Sequence, residues 1–387
     1  MDDIKKKILT NLMDSHGALE LFNMIHESSS SSESSEDEDD QDSQLMQRID
    51  EYSEEDFKSQ FRLNRSTVDF IVSNFAKSRY STNSTPHGGR PRMECKKEIY
   101  VFLFYLGNTV TFKELGDIFG IQKSSAWFAV GRVSGWLVSI GDKYIKWPQR
   151  EEVKENARKI VSLKKMPGVL GVINCTRVKT QCTTRDLFFP KKRKKNVDIF
   201  FQAVVDADRK FIDIDLSCAD GKSKFQHSSR ALRRSTLYRN AQDNYKGLFP
   251  YNTFLIGNSW CPNLNWLIPP FSNKMSTTEC HIKFNRIHLS TQKIASDALG
   301  MLQKRFRRIT KFTEQRLVKG AISIVASACI LHNMCIIMND SFEIDEVELE
   351  SSSESQCAPE EEYPQNLDLE IDRRQLLFEY MSLRNKI

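Results

Sequence analysis

Lys191, Lys192, Arg193, Lys194 and Lys195 set five cations in a row. That spacing attracts a polyanion rather than performing a reaction. The run serves as a nuclear localisation signal or as a phosphate contact, and the two uses are compatible. Reactive side chains are scattered by comparison. The nine cysteines include no C-x-x-C pair, a pattern that suits reduced thiols inside a cell. Cys280 and His281, taken with His288 and Cys261, lack the paired spacing of a zinc set. Cys329 and Cys335 flank Leu331 in an apolar stretch and read as core, and His332-Asn333 reads as a structural helix end. The chain carries no phosphate-cradling glycine loop and no nucleophile motif.

Charge is sharply segregated along the 387 residues. The net charge is +5, yet residues 33–42 carry seven acids and residues 343–362 carry nine, neither stretch containing Lys or Arg. Without those sixteen acids the remainder stands at +21. Such a basic body calls for a polyanionic partner, most simply DNA. No run of about 18 apolar residues is apparent, so no membrane partner is expected. The opening Met1-Asp2-Asp3-Ile4-Lys5-Lys6-Lys7 lacks the apolar block of a signal peptide.

The elements that would position these groups follow from periodicity. Residues 1–45 form an acidic, Ser-rich and mostly disordered tail, with a short helix within residues 1–26 and a stretch at 28–43 too polar to fold alone. Residues 46–150 show helical spacing, as in Tyr100 to Leu106. Strand-like runs follow at Val169 to Val178, Ile199 to Val205, Phe211 to Leu216 and Thr253 to Ile256, separated by turn clusters such as Asp206 to Arg209. Long helices return over 289–340, including Lys319 to Met338. Strands followed by helices, with a helix between, predict a mixed α/β core over 151–340. An acidic linker occupies 341–364, and 365–387 reads as a C-terminal helix.

Within the helical part, Thr111 to Val130 has helix-turn-helix form. Leu115, Ile118 and Phe119 give one apolar face, and Gly120 supplies the turn. Lys123, Ser124 and Ser125 open the second helix, the end that meets the major groove in DNA-binding versions. Lys123 and Arg132 are candidate phosphate contacts. Trp127 reads as a core anchor, and pure helix packing is the competing reading of the whole segment.

The ordered motifs resemble the PIF/Harbinger transposase superfamily, specifically the domesticated nuclease-like proteins derived from it. Phe102 to Asn108 followed by the helix-turn-helix is similar to the family's upstream helical region. Gly171-Val172-Ile173-Asn174-Cys175-Thr176 resembles its first catalytic strand, and Lys191 to Lys195 leading to Phe201-Gln202-Ala203-Val204-Val205-Asp206 resembles its basic hairpin and next strand. Leu255-Ile256-Gly257-Asn258 with Trp266 to Phe271 is similar to the second catalytic region. Phe284 to His288 precedes the third, and Ile330 to Cys335 closes the match. The series covers roughly residues 95–340. The resemblance implies an RNase H-like mixed sheet flanked by helices, behind an N-terminal helical helix-turn-helix module.

The resemblance also implies carboxylates holding two divalent ions, Mg²⁺ or Mn²⁺, for DNA cleavage. Those positions fall here on Asn174, Asn258 and Ser296, with a further one near Ser228 beside His227. All are neutral, so no catalytic residue and no metal cofactor is expected. Asp297 is rotated by about 100° around its helix from Ser296 and points elsewhere. Asp206, Asp208 and Asp220 are the nearest other acids in sequence.

The expectation is a domesticated, catalytically inactive nuclear protein, with the cytoplasm as a second compartment. It binds DNA, a Myb-like protein or a chromatin-associated partner. Two alternatives stand beside it: an active metal-dependent nuclease with a shifted ligand set, and a scaffold that binds protein only.

Overall fold

Capping residues and apolar spacing cut the N-terminal half into successive helices in the computed structural model, which describes residues 36–81, 93–180, 198–219, 231–272, 278–310, 318–342 and 372–383. These helices are α1 (Glu36–Asp50), α2 (Glu54–Phe61), α3 (Arg65–Ala76), α4 (Cys95–Gly107), α5 (Phe112–Phe119), α6 (Lys123–Ser139) and α7 (Arg150–Lys164). Strands β1 (Val169–Val178), β2 (Asp198–Val205) and β3 (Phe211–Ala219) follow, then α8 (Thr236–Asp243), β4 (Phe254–Ile256) and β5 (Leu267–Ile268). The chain continues with α9 (Glu279–Arg305), α10 (Val318–Ile337) and α11 (Arg373–Leu383). The predicted helix within residues 1–26, the loop over 82–92, the basic run Lys191 to Lys195, Ser228 and the linker from 343 to 364 lie outside the described residues.

Two compact units form. The described residues of one fall within Met1–Tyr144, Val178–Ile199 and Leu302–Glu343; those of the other fall within Ile145–Arg177, Phe200–Met301 and Ile344–Ile387. Compaction thus divides the chain differently from its linear order, because α10 belongs with the N-terminal helices rather than with the strands.

In the first unit, α1 begins inside the stretch expected to be too polar to fold alone. Ile49 at its other end is buried. The interior is aromatic: Phe61 packs on Tyr100 with ring centroids 4.8 Å apart, and Tyr105 stacks on Phe112 at 4.7 Å. Arg308 is fully buried, donates to the Tyr105 and Val110 carbonyls, and lies over the Tyr105 ring.

Helix α10 corrects one expectation. Its length and apolar composition are enough to cross a membrane, and most of it is buried within the fold. A helix apolar all round suits the centre of a packed domain. Ser327 hydrogen bonds Ser134 on α6, and Asn333 Nδ2 donates to the Tyr144 carbonyl at 2.8 Å. His332 and Asn333 therefore lie inside the helix, four or more residues before its end, rather than at a helix end. Cys329 and Cys335 are buried as expected.

The second unit contains a five-stranded sheet in the order β3-β2-β1-β4-β5, flanked by helices. β1 runs parallel to β4, with Val172 opposite Ile256, and β4 runs parallel to β5. The short connection from Asp206 to Lys210 can join β2 and β3 only as an antiparallel hairpin. Val153 of α7 and Leu237 and Ala241 of α8 pack with Ile173, Val204, Ile212, Leu255 and Leu267 in one apolar cluster. The two-residue strand β5 escaped sequence reading because it is too short for alternation to register. α9 starts ten residues before the predicted 289. The predicted C-terminal helix forms as α11, where Arg374 donates to the Pro270 carbonyl and Phe378 stacks on His281.

Candidate functional site

Parallel register brings two of the neutral positions level. Asn174 and Asn258 each stand two residues beyond the paired Val172 and Ile256. Asn174 lies within β1, and Asn258 follows the end of β4, where Gly257 comes close to Ile173. The third position joins from α9: Asn174 Nδ2 lies 3.5 Å from Ser296 Oγ, at the outer limit of a hydrogen bond. Ser296 is exposed, and Asn174 and Asn258 are half-buried.

Backbone donors fix how both amides point. The Cys175 N–H donates to Asn174 Oδ1 at 2.8 Å. The Trp260 N–H donates to Asn258 Oδ1 at 3.2 Å, an Asx-turn, and Cys261 Sγ lies 3.5 Å from the same oxygen. A backbone N–H needs an acceptor, so the oxygen must be the buried-side atom and the NH₂ the other. The sequence Asn258-Ser259-Trp260 carries the signal for this Asx-turn. Gly257 allows the turn to fold back, since a Cβ there would stand 2.5 Å from Cys261 Sγ.

Cys175 and Cys261 lie beside these amides. Burial pushes the Cys261 thiol up to about 12 and the Cys175 thiol well above its usual range, the latter helped by Cys261 and Asp215. Both are protonated at neutral pH and poor nucleophiles. The considered zinc set does not assemble. His288 Nε2 bonds the Ile268 carbonyl at 3.0 Å, and His281 stacks on Phe378. Among the described residues, no three His, Cys, Asp or Glu side chains group as a metal set.

The remaining acids have other partners. Asp297 faces Arg209 at 3.9 Å. Asp206 accepts the backbone N–H groups of Asp208 and Lys210, shaping the β2–β3 turn, and Asp208 takes Lys159 at 2.7 Å. Buried Asn156, which sequence reading overlooked, ties that turn to β1: it donates to the Leu170 carbonyl and accepts the Ala207 N–H. The residues at the centre do not fit a two-metal site. They supply no carboxylate to offset the charge of two divalent ions.

The other candidates separate from one another. α5 and α6 are joined by Gly120, Ile121 and Gln122, with Gly120 at φ +60°. Thr111 and Glu114 form a capping box at the start of α5. The apolar face is Phe112, Leu115 and Phe119; Ile118 is exposed because it lies about 100° around the helix from Phe119. Lys123 and Ser124 are exposed and Ser125 is half-buried at the first turn of α6. Trp127 is half-buried against Phe128. Arg132 is gripped by the buried Glu98 through two hydrogen bonds, of 2.6 and 3.2 Å, which commits its charge to the fold rather than to phosphate.

A parallel strand pair and the helix that follows the sheet bring Asn174 to Ser296. Residues 172–333 match the family model of the DDE superfamily endonucleases. That match, with the relatives below, supports assigning the chain to the DDE superfamily, among the Harbinger transposase-derived nuclease-like proteins. It is 25% identical over 302 residues to Protein ALP1-like of Arabidopsis thaliana, covering 73% of this chain and 71% of that protein. It is 24% identical over 310 residues to the Arabidopsis thaliana protein named Antagonist of Like Heterochromatin Protein 1, covering 76% of each. HARBI1 of Homo sapiens, whose name designates a candidate nuclease, is 23% identical over 264 residues, covering 67% of this chain and 72% of that one. No solved structure is significantly similar.

Proposed function

We propose that this chain is a catalytically inactive, domesticated member of its family that acts in the nucleus by binding DNA together with a chromatin-associated or Myb-like protein. The observation that carries this reading is the neutral trio Asn174, Asn258 and Ser296, whose two amide oxygens accept backbone N–H groups rather than standing open to a cation. The strand order and the parallel β1, β4 and β5 support an RNase H-like core. The α5–turn–α6 unit, with Lys123, Ser124 and Ser125 at its entry, supports a helix-turn-helix module that docks on DNA. The +21 body and the Lys191 to Lys195 run support a polyanion partner and nuclear import. A chromatin partner gains support from the name of the Arabidopsis relative, Antagonist of Like Heterochromatin Protein 1.

The test uses the full chain. Duplex binding that weakens steeply with salt is expected, with supercoiled plasmid left intact in Mg²⁺ or Mn²⁺. Metal-dependent nicking that disappears in Asp297→Ala or Asp220→Ala overturns the inactive reading. Failure to bind any duplex at low salt overturns the DNA reading and leaves a protein-only scaffold.

A further inference from the structure

We propose that Asn174, Asn258 and Ser296 have become a metal-free cradle for one phosphodiester of the DNA backbone, a centre whose polarity is inverted from cation-binding to anion-binding. The inference rests on the DNA-binding reading and assigns it a specific locus.

Amide orientation is the basis. Each Asn has one acceptor oxygen and one donor NH₂, and here a backbone N–H holds each oxygen in place, which fixes where the NH₂ points. Asn174 Oδ1 takes the Cys175 N–H, and Asn258 Oδ1 takes the Trp260 N–H. A backbone N–H cannot donate to an NH₂ group, so neither side chain can flip without losing that bond. What remains at the centre is donors: Asn174 Nδ2, Asn258 Nδ2 and the Ser296 hydroxyl. The contact between Asn174 and Ser296 is 3.5 Å, long enough for an oxygen to compete for both groups. NH₂ and hydroxyl donors suit an oxyanion, and without a carboxylate they hold a divalent ion poorly.

Charge around the centre agrees. Lys293 lies three residues before Ser296 on α9, hence on the same helical face, and is exposed. Arg209 approaches the next residue, Asp297, at 3.9 Å, a distance that leaves the carboxylate only loosely matched. The half-buried thiols of Cys175 and Cys261 stay protonated, and Asp215 is the carboxylate that acts on Cys175. Carboxylates in place of the amides would accept the same two backbone bonds, so Asn174→Asp and Asn258→Asp should keep the fold while restoring repulsion toward phosphate.

The experiment measures binding of the full chain to a fluorescent duplex by anisotropy, at fixed salt, in chelator and again in Mg²⁺. The wild-type chain is expected to bind equally in both. N174D/N258D is expected to bind roughly tenfold more weakly in chelator, from two like-charge contacts across a polar surface, and to recover in Mg²⁺. Ser296→Ala, which alters no charge and lies on an exposed helical position, is expected to weaken binding about threefold, the effect of one neutral hydrogen bond. Equal affinity of wild type and N174D/N258D in chelator sinks the cradle while leaving DNA binding intact. Should N174D/N258D fail to fold, by circular dichroism, Ser296→Ala decides, and unchanged affinity in it rejects the cradle. Absence of wild-type binding would instead reject the DNA reading itself.

Discussion

Asn174 and Ser296 meet across 3.5 Å, one from the first strand of the sheet and one from the helix that follows its last strand. They are separated by 122 residues in the chain. Their meeting joins two elements that no local pattern connects, and the group facing Ser296 is an amide NH₂ because the amide oxygen is held by the Cys175 N–H. Four further consequences of the structure can be measured.

Gly257 is required by close approach. A methyl group there would stand 2.5 Å from Cys261 Sγ and 3.0 Å from Cys261 Cβ. Gly257→Ala is expected to destabilise by about 1–3 kcal/mol, the usual cost of overpacking. Adding Cys261→Ala should recover part of that loss, since it removes the nearer atom. Urea unfolding of the two variants measures the coupling, and a purely additive result would remove the steric explanation.

Arg132 should matter for folding rather than for DNA. Its removal leaves Glu98 buried with its main partner gone. Arg132→Ala is expected to cost about 3–5 kcal/mol. The salt dependence of DNA binding should stay unchanged, whereas Lys123→Ala should reduce its slope by about one. A reduced slope in Arg132→Ala, with stability intact, would return Arg132 to the DNA surface.

Arg305 and Asp340 form the corresponding buried pair beside α10. Arg305 Nη1 lies 3.2 Å from Asp340 Oδ1, Arg305 Nη2 donates to the Asp340 carbonyl, and the Asn64 N–H donates to Asp340 Oδ2 at 2.7 Å. Asp340→Ala is expected to lose about 3–5 kcal/mol. Because both partners are buried, raising salt should barely alter the difference. A loss that vanishes at high salt would mark the pair as solvent-exposed in solution.

His288 should make stability pH-dependent. Burial, opposed by the bond to the Ile268 carbonyl and aided by the nearby Arg374, lowers its pKa from 6.5 to about 4. Between those values the unfolded chain binds a proton that the folded chain refuses. Stability from this residue is therefore complete above pH 6.5 and declines as pH falls toward 4, by on the order of 3 kcal/mol in total. Thermal melts of wild type and His288→Gln across that window should differ in slope. Parallel pH profiles would mean that His288 is solvated.

Much of the fold is legible in the residue pattern. β1 to β4 lie where β-branched runs sit between turn residues, and Thr111, Glu114 and Gly120 announce the capped helix and its left-handed turn. The pattern fails where burial is decided by distant packing. Ile118 fits an apolar face on paper, yet the face that other helices cover is Phe112, Leu115 and Phe119. α10 carries too little amphipathic signal to show which side it buries, because every side is buried.

The sequence by itself determined which residue types stand at the centre, their neutrality, the basic body and the acidic segments, since identity and charge are local properties. Only tertiary structure decided that Asn174 meets Ser296 and that Asn258 follows the strand beside β1, because parallel pairing of β1 with β4 and the placement of α9 act across long stretches of chain. It also decided the direction of the amides. That direction depends on which atom the backbone of the strand end and the Asx-turn claims, and the backbone N–H groups claim the oxygen.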